Sequence, residues 1–98
     1  MIHYDEGAQA DLRRILEANR ERDPASALAH VETIQDAVDI LARHPEIGRL
    51  VEGSPGMREL VVSHVGRGYI ALYEYSPLEG LVRIAAIRHQ REAGYPER

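Results

Sequence analysis

The apolar positions of this chain change period part-way along. From Ala8 they recur at helical spacing, at Ala8, Leu12, Ile15 and Leu16, while Asp11, Arg13, Arg14, Glu17 and Arg20 mostly take the other faces. Asp5 stands ahead of this run as a suitable N-cap, its carboxylate available to the orphan N–H groups of a first turn. Asp23-Pro24 ends the helix near Arg22, because the residue before proline is pushed out of the α region. Pro24 in turn suits the first turn of a second helix, whose stripe is Ala27, Leu28, Val31, Ile34, Val38, Leu41 and Ala42. Pro45 closes that helix near Arg43 or His44, and so short a connection predicts an antiparallel αα-hairpin. His30, beside the stripe, reads as a surface or boundary residue.

After a loop over 46–56, which Ile47 and Leu50 are expected to pin to the core, the period becomes that of strands. Met57–Val65, Tyr69–Tyr75 and Leu81–Ile87 are three runs rich in Leu, Val, Ile, Ala and Tyr. Gly66-Arg67-Gly68 and Ser76-Pro77-Leu78-Glu79-Gly80 supply the turns between them. The last run is almost wholly apolar, as expected of a strand covered on both faces. Met1-Ile2-His3-Tyr4 is a short strand candidate. The predicted order is β-α-α-β-β-β. This is an α+β, two-layer domain: a short N-terminal strand and an antiparallel αα-hairpin packed on one face of a mainly antiparallel sheet. Ninety-eight residues without a repeat or linker make residues 1–98 one domain.

Composition narrows the function classes. Cysteine is absent, which excludes disulfides and thiolate metal sites. The N-terminus shows neither a basic nor an apolar signal region, and no run approaches a membrane span, so a soluble cytoplasmic chain is expected. Residues 1–56 hold six Arg and eleven acids, net −5; residues 57–98 hold six Arg and five acids, net +1. The overall charge of −4 argues against a generic nucleic-acid binder, although a local basic patch on the sheet remains compatible with it. All twelve basic residues are Arg, the residue suited to forked contacts with carboxylate or phosphate.

The motifs exclude more than they include. There is no Walker loop, GxGxxG or HExxH, and the serines lack a nucleophile-elbow context. The five histidines show no ligand spacing, so neither a metal nor another cofactor is expected. What remains is the sheet and its C-terminal lip. Arg58 opens a strand, Arg83 sits within the last one, Arg88, His89 and Arg91 end it, and Tyr95 follows. One reading is structural: Arg58 pairs with Glu59 or a helix acid, and His89 caps a core edge. The other has these groups converge on one groove around a phosphodiester. There Arg would neutralise developing charge, His89 would shuttle a proton, and Tyr95 would stack or carry one.

An ordered set of short motifs runs through the chain: Ala8, Asp11, Leu12 and Ile15; Pro24 and Ala27; Leu41, Pro45, Ile47, Gly48 and Arg49; Arg58-Glu59-Leu60; Tyr69 and Tyr73; and Ile84–Arg91. The set resembles the RelE/ParE superfamily of toxins from bacterial type II toxin–antitoxin modules, and the resemblance spans nearly the whole chain. It implies the two-helix, antiparallel-sheet layout already derived. It also implies a cognate antitoxin partner whose disordered tail folds on the toxin as a helix or an added strand. Toxin and antitoxin would then form a hetero-oligomer.

The superfamily divides by activity. RelE-like members are ribosome-dependent mRNA endonucleases, and a site of that kind would fall on Arg58, His89, Arg91 and Tyr95. ParE-like members poison DNA gyrase, and target binding would then fall on Arg58, Arg83, Arg88, His89 and Arg91. The Arg58-Glu59-Leu60 and Arg88-His89-Gln90-Arg91 patterns look more like the ParE branch and its plasmid-stabilisation relatives. The acidic balance and lack of Lys also depart from a strongly basic ribosome-entering pattern. The resemblance therefore implies growth inhibition through gyrase first. An mRNA interferase, or a non-toxic module member that only binds antitoxin, are the alternatives.

Overall fold

In the computed structural model, residues 1–64, 67–92, 94 and 95 are described. In chain order the elements are β1 (Ile2–Tyr4), α1 (Glu6–Arg22), α2 (Ala27–Asp39), a 3-10 turn (Ile40–Ala42), β2 (Arg49–Leu50), β3 (Met57–His64), β4 (Arg67–Ser76) and β5 (Leu81–His89). The strands form one sheet in the order β1-β5-β4-β3-β2. β1 runs parallel to β5, and the other pairings are antiparallel. The expected α+β layers and element order are present, with the two-residue β2 added inside the predicted loop. The glycine turn expected at 66 lies outside the described residues. The β4–β5 turn ends on Gly80, whose φ of 60° is the left-handed geometry that glycine adopts without steric cost.

The two helices bury their stripes on one face of the sheet. Ala8 and Ile15 of α1, with Ile34 and Val38 of α2 and Leu41 beyond it, meet Val62 of β3, Tyr69, Ala71 and Tyr73 of β4, and Val82, Ile84 and Ile87 of β5. Among the described residues no helix packs on the opposite face. The outer face of β5 is covered only in part: Arg83 and Ala85 are half-buried while Ala86 is 6% exposed, short of the full two-sided burial its composition suggests. Its apolar run reflects its interior place in the sheet, between β1 and β4.

One irregularity sets which residues face the helices. Leu72 pairs with Ala86 and Tyr73 with Ile84, so Ala85 is an extra residue in β5. Before the bulge Val82 and Ile84 point to the helices; after it Ile87 does, and so does His89, which faces Tyr69. Arg88, paired with Ile70, is sent to the outer face.

Several local expectations are corrected. The Asp5 carboxylate makes no cap hydrogen bond; it accepts from Arg83 instead, at 2.8 and 3.3 Å. Helix α2 begins at Ala27, because Pro24–Ser26 form a turn in which Ser26 Oγ donates to Asp23 at 2.7 Å. Ile47 and Leu50 are 59% and 66% exposed and pin nothing. The loop is held by its backbone: Gly48 N–H donates to the buried Tyr73 hydroxyl at 2.8 Å, and Arg58 donates to the carbonyls of Glu46 and Gly48 at 3.0 and 2.7 Å. His30 is buried, its Nδ1 3.0 Å from the Tyr69 hydroxyl.

Candidate functional site

β1 covers the edge of β5 only as far as Ile84, and Asp5 N–H adds one more bond to the Ile84 carbonyl. Beyond that point helix α1 takes the place of a strand. The buried Asp11 carboxylate accepts the Ile87 N–H at 2.8 Å, and Arg14 donates to the Ile87 carbonyl at 3.3 Å. Glu92 then accepts the His89 N–H at 3.0 Å and pairs with Arg14 at 3.0 Å. Burial raises the Glu92 pKa, but the His89 N–H and the Arg14 guanidinium outweigh it and hold the carboxyl below its ordinary value. These side chains complete the ladder and fix the strand end that carries His89.

His89 sits edge-on to Tyr69, with ring centroids 5.4 Å apart. Its Nδ1 accepts the Arg91 backbone N–H at 3.1 Å; its Nε2 is buried and has no hydrogen-bond partner among the described residues. Burial first, then the charges of Arg67 and Arg91, hold its pKa below the usual histidine value, so the ring is neutral at pH 7. With Ser63, Arg67, Gly68, Gln90 and Arg91, His89 lines a pocket of about 500 Å³ at the end of the sheet.

The other predicted residues lie elsewhere. Arg88, on the outer face, donates to the carbonyls of His89, Gln90 and Glu92, the shortest at 2.9 Å, and its guanidinium lies 5.1 Å from the centre of the Tyr95 ring. Tyr95 folds over the same face and donates to Glu59 at 2.6 Å. Burial raises its pKa, and the Glu59 carboxylate raises it further. Arg49 pairs with that carboxylate from the other side at 3.2 Å. Arg83 is held by Asp5 and Glu74. Arg58 pairs with Glu46 at 3.4 Å rather than with Glu59 or a helix acid. It lies opposite Tyr73, while His89 lies opposite Tyr69. They are offset by about 13 Å along the strands and stand on opposite sides of β4. The fold thus brings His89 and Arg91 together, joins Arg88 to Tyr95 on the outer face, and sets Arg58 and Arg83 apart from both.

The family described as the ParE toxin of the type II toxin–antitoxin system, parDE, matches residues 2–94. The chain belongs to the ParE toxin family. Among curated proteins, it is similar to Toxin RelE3 of Caulobacter vibrioides, 35% identical over 85 residues covering 87% of this chain and 88% of that one. It is similar also to Toxin RelE2 of the same organism, 38% identical over 84 residues covering 84% and 85%. Among solved structures, a chromosomal ParDE system from P. aeruginosa has the same fold, with a TM-score of 0.74 at 24% identity over 90% of this chain and 92% of that one. The RelBE toxin–antitoxin complex from E. coli gives 0.61 at 18% identity over 100% and 98%. This is therefore a type II toxin of the RelE/ParE superfamily.

Two parts of the candidate site escape a linear reading. Arg67, Ser63 and Gln90 join His89 only because β3, β4 and β5 end together; Arg67 between glycines was legible as a turn, not as a lining residue. The Asp11–Arg14–Glu92 brace spans 78 positions, from Arg14 to Glu92, and no local pattern announces it. Among the described residues no helix is long and apolar enough to cross a membrane.

Proposed function

We propose that this toxin arrests growth by binding a cellular target, with DNA gyrase the first candidate, and that a cognate antitoxin neutralises it in a hetero-oligomer in the cytoplasm. The observation carrying this reading is the separation of the groups a nuclease would need. RNA cleavage by 2′-OH attack requires a base, an acid and charge stabilisation within reach of one phosphodiester. Here Arg58 braces a loop, Tyr95 is committed to Glu59, and of the His89 ring nitrogens Nε2 is buried while Nδ1 accepts the Arg91 backbone N–H. The antitoxin partner is supported by the parDE family description and by the fold shared with the RelBE toxin–antitoxin complex.

A second reading, a ribosome-dependent mRNA endonuclease, is favoured by the RelE names of the curated relatives and by the shared pocket of His89, Arg67 and Arg91. Induced expression of the chain alone separates the two, with growth, mRNA integrity and plasmid supercoiling scored together. Arrest with altered supercoiling and intact mRNA is expected. Codon-positioned mRNA cuts that vanish in His89→Ala would replace the first reading by the second. Harmless expression of the folded chain would leave a module member that only binds antitoxin.

A further inference from the structure

Four arginines of the described chain are half-buried: Arg58, Arg67, Arg83 and Arg88. Three of them have clear partners. Arg58 holds Glu46 and the Gly48 carbonyl, Arg83 holds Asp5 and Glu74, and Arg88 holds three backbone carbonyls. The Arg67 side chain has no hydrogen bond or ion pair with any described residue. The Arg91 guanidinium, on the same pocket, has none either. The nearby acid, Glu92, is withdrawn from them by Arg14 and the His89 N–H. A partly desolvated guanidinium without a counter-charge is unfavourable, and an incoming anion relieves it.

The neutral part of the lining suits the same anion. Ser63 offers a hydroxyl and Gln90 a carboxamide. Gly68 matters here, because a Cβ at that position would collide with the Gln90 side chain, which lies across it. About 500 Å³ is far more than a carboxylate needs and is in the range of small-ligand sites. Two guanidinium forks with two neutral hydrogen-bonding groups match the several oxygens of a phosphate.

The surroundings limit what the phosphate can be attached to. Along the outer face from Ser63 and Gly68, the next cross-strand rows are Val61–Ile70–Arg88, whose guanidinium is already taken by three backbone carbonyls, and Glu59–Leu72–Ala86. The next phosphates of a polynucleotide would meet two apolar side chains and the engaged Arg88, then the Glu59 carboxylate, on a chain of net charge −4. We propose that the pocket lined by Ser63, Arg67, His89, Gln90 and Arg91 binds the phosphate group of a small phosphorylated ligand of mononucleotide size. Arg67 and Arg91 carry the charge complementarity; Ser63 and Gln90 supply the neutral contacts.

The ligand of this pocket is independent of the cellular target. Titration of the full chain by calorimetry and amide NMR, with inorganic phosphate, adenosine monophosphate, adenosine and a ten-nucleotide single strand lacking terminal phosphates, tests it. Adenosine monophosphate should shift the amides of Ser63, Gly68, His89 and Gln90, and adenosine should not. Arg67→Ala should weaken the monophosphate at least tenfold and Arg91→Ala severalfold, while Arg13→Ala, on the exposed side of α1, leaves it unchanged. Circular dichroism melts establish that each variant is folded; if Arg67→Ala is not, Arg67→Lys and Arg91→Ala carry the comparison. Equal affinity for adenosine and its monophosphate, or undiminished binding by the folded Arg67 and Arg91 variants, overturns the proposal. So does a single strand that binds more tightly than the monophosphate with a steep salt dependence, which would make the pocket part of a polynucleotide track. Loss of monophosphate binding with growth arrest intact would leave the target reading standing.

Discussion

Replacing Asp11 with Ala removes the acceptor that α1 lends to the edge of β5. The Asp11 carboxylate is 2% exposed and takes the Ile87 N–H at 2.8 Å. A hydrogen bond to a charged group contributes about 1.5–3 kcal/mol, and an orphaned buried amide costs about 1–3 kcal/mol. Both figures describe the same event, so it is counted once, at about 2–3 kcal/mol. The contact to Arg14 is 3.8 Å long and the Arg14 side chain is 42% exposed, so its loss adds under about 1 kcal/mol. Asp11→Ala should therefore destabilise the fold by about 3 kcal/mol, out of roughly 5–15 kcal/mol for a domain of this kind. For a domain near this size each kcal/mol lowers Tm by roughly 4–8 °C. Asp11→Asn keeps an acceptor and should lose about 1 kcal/mol. Equilibrium urea unfolding gives the free energies, and native-state hydrogen exchange of the Ile87 amide reports the bond itself. A loss below about 1 kcal/mol in Asp11→Ala, with the Ile87 amide still slow, would refute the idea that a helix side chain seals this edge.

Four further outcomes are expected. His89 titrates below its ordinary value of 6.5 in the fold. The unfolded chain therefore takes up the proton first as pH falls, and stability present above pH 6.5 is lost as the pH drops through the folded pKa; His89→Gln should flatten that part of a denaturant-midpoint profile. A Cβ at Gly48 would sit 2.6 Å from the Tyr73 hydroxyl and 2.8 Å from the Glu59 carbonyl oxygen, so Gly48→Ala should cost about 1–3 kcal/mol in chemical unfolding. Tyr73→Phe should cost a similar amount by stranding the Gly48 N–H. Arg58→Ala should lower Tm through the loop it braces yet leave growth arrest intact at low temperature; loss of arrest in a folded variant would return Arg58 to the functional surface.

The layers were legible because the chain states its two periods cleanly. Ala8, Ile15, Ile34 and Val38 recur at helical spacing and are all buried; Tyr69, Ala71 and Tyr73 alternate and all face the helices. What escaped a linear reading depended on partners far away in sequence. His30 is buried because the Tyr69 hydroxyl, 39 positions on, gives its ring a partner. Ile47 and Leu50 stay exposed because backbone bonds to Tyr73 and Arg58 already fix their loop, so no apolar anchor is needed. Asp5 has the residue type of an N-cap, but the guanidinium of Arg83, 78 positions on, outbids the helix amides for its carboxylate. Hydrogen bonding to Arg83 holds that carboxyl below its ordinary value.

The candidate site depended most on a single residue that no pattern marks. Strict alternation along β5 from Val82 and Ile84 would place Ala86 and Arg88 toward the helices and His89 on the open face beside Tyr95. That arrangement is the one in which Arg88, His89 and Tyr95 would need to be sorted by chemistry alone. The unpaired Ala85 reverses the second half of the strand. Ile87 then joins the core, His89 packs edge-on against Tyr69 with its ring kept neutral, and Arg88 goes to the outer face to meet Tyr95. The basic lip is thereby split into two surfaces. One is a pocket with unanswered cations around His89. The other is a face where Arg88, Tyr95, Glu59 and Arg49 answer one another. A catalytic reading that uses both His89 and Tyr95 needs the two surfaces joined; a binding reading needs only one of them free, and the pocket around Arg67 is the one with charge to spare.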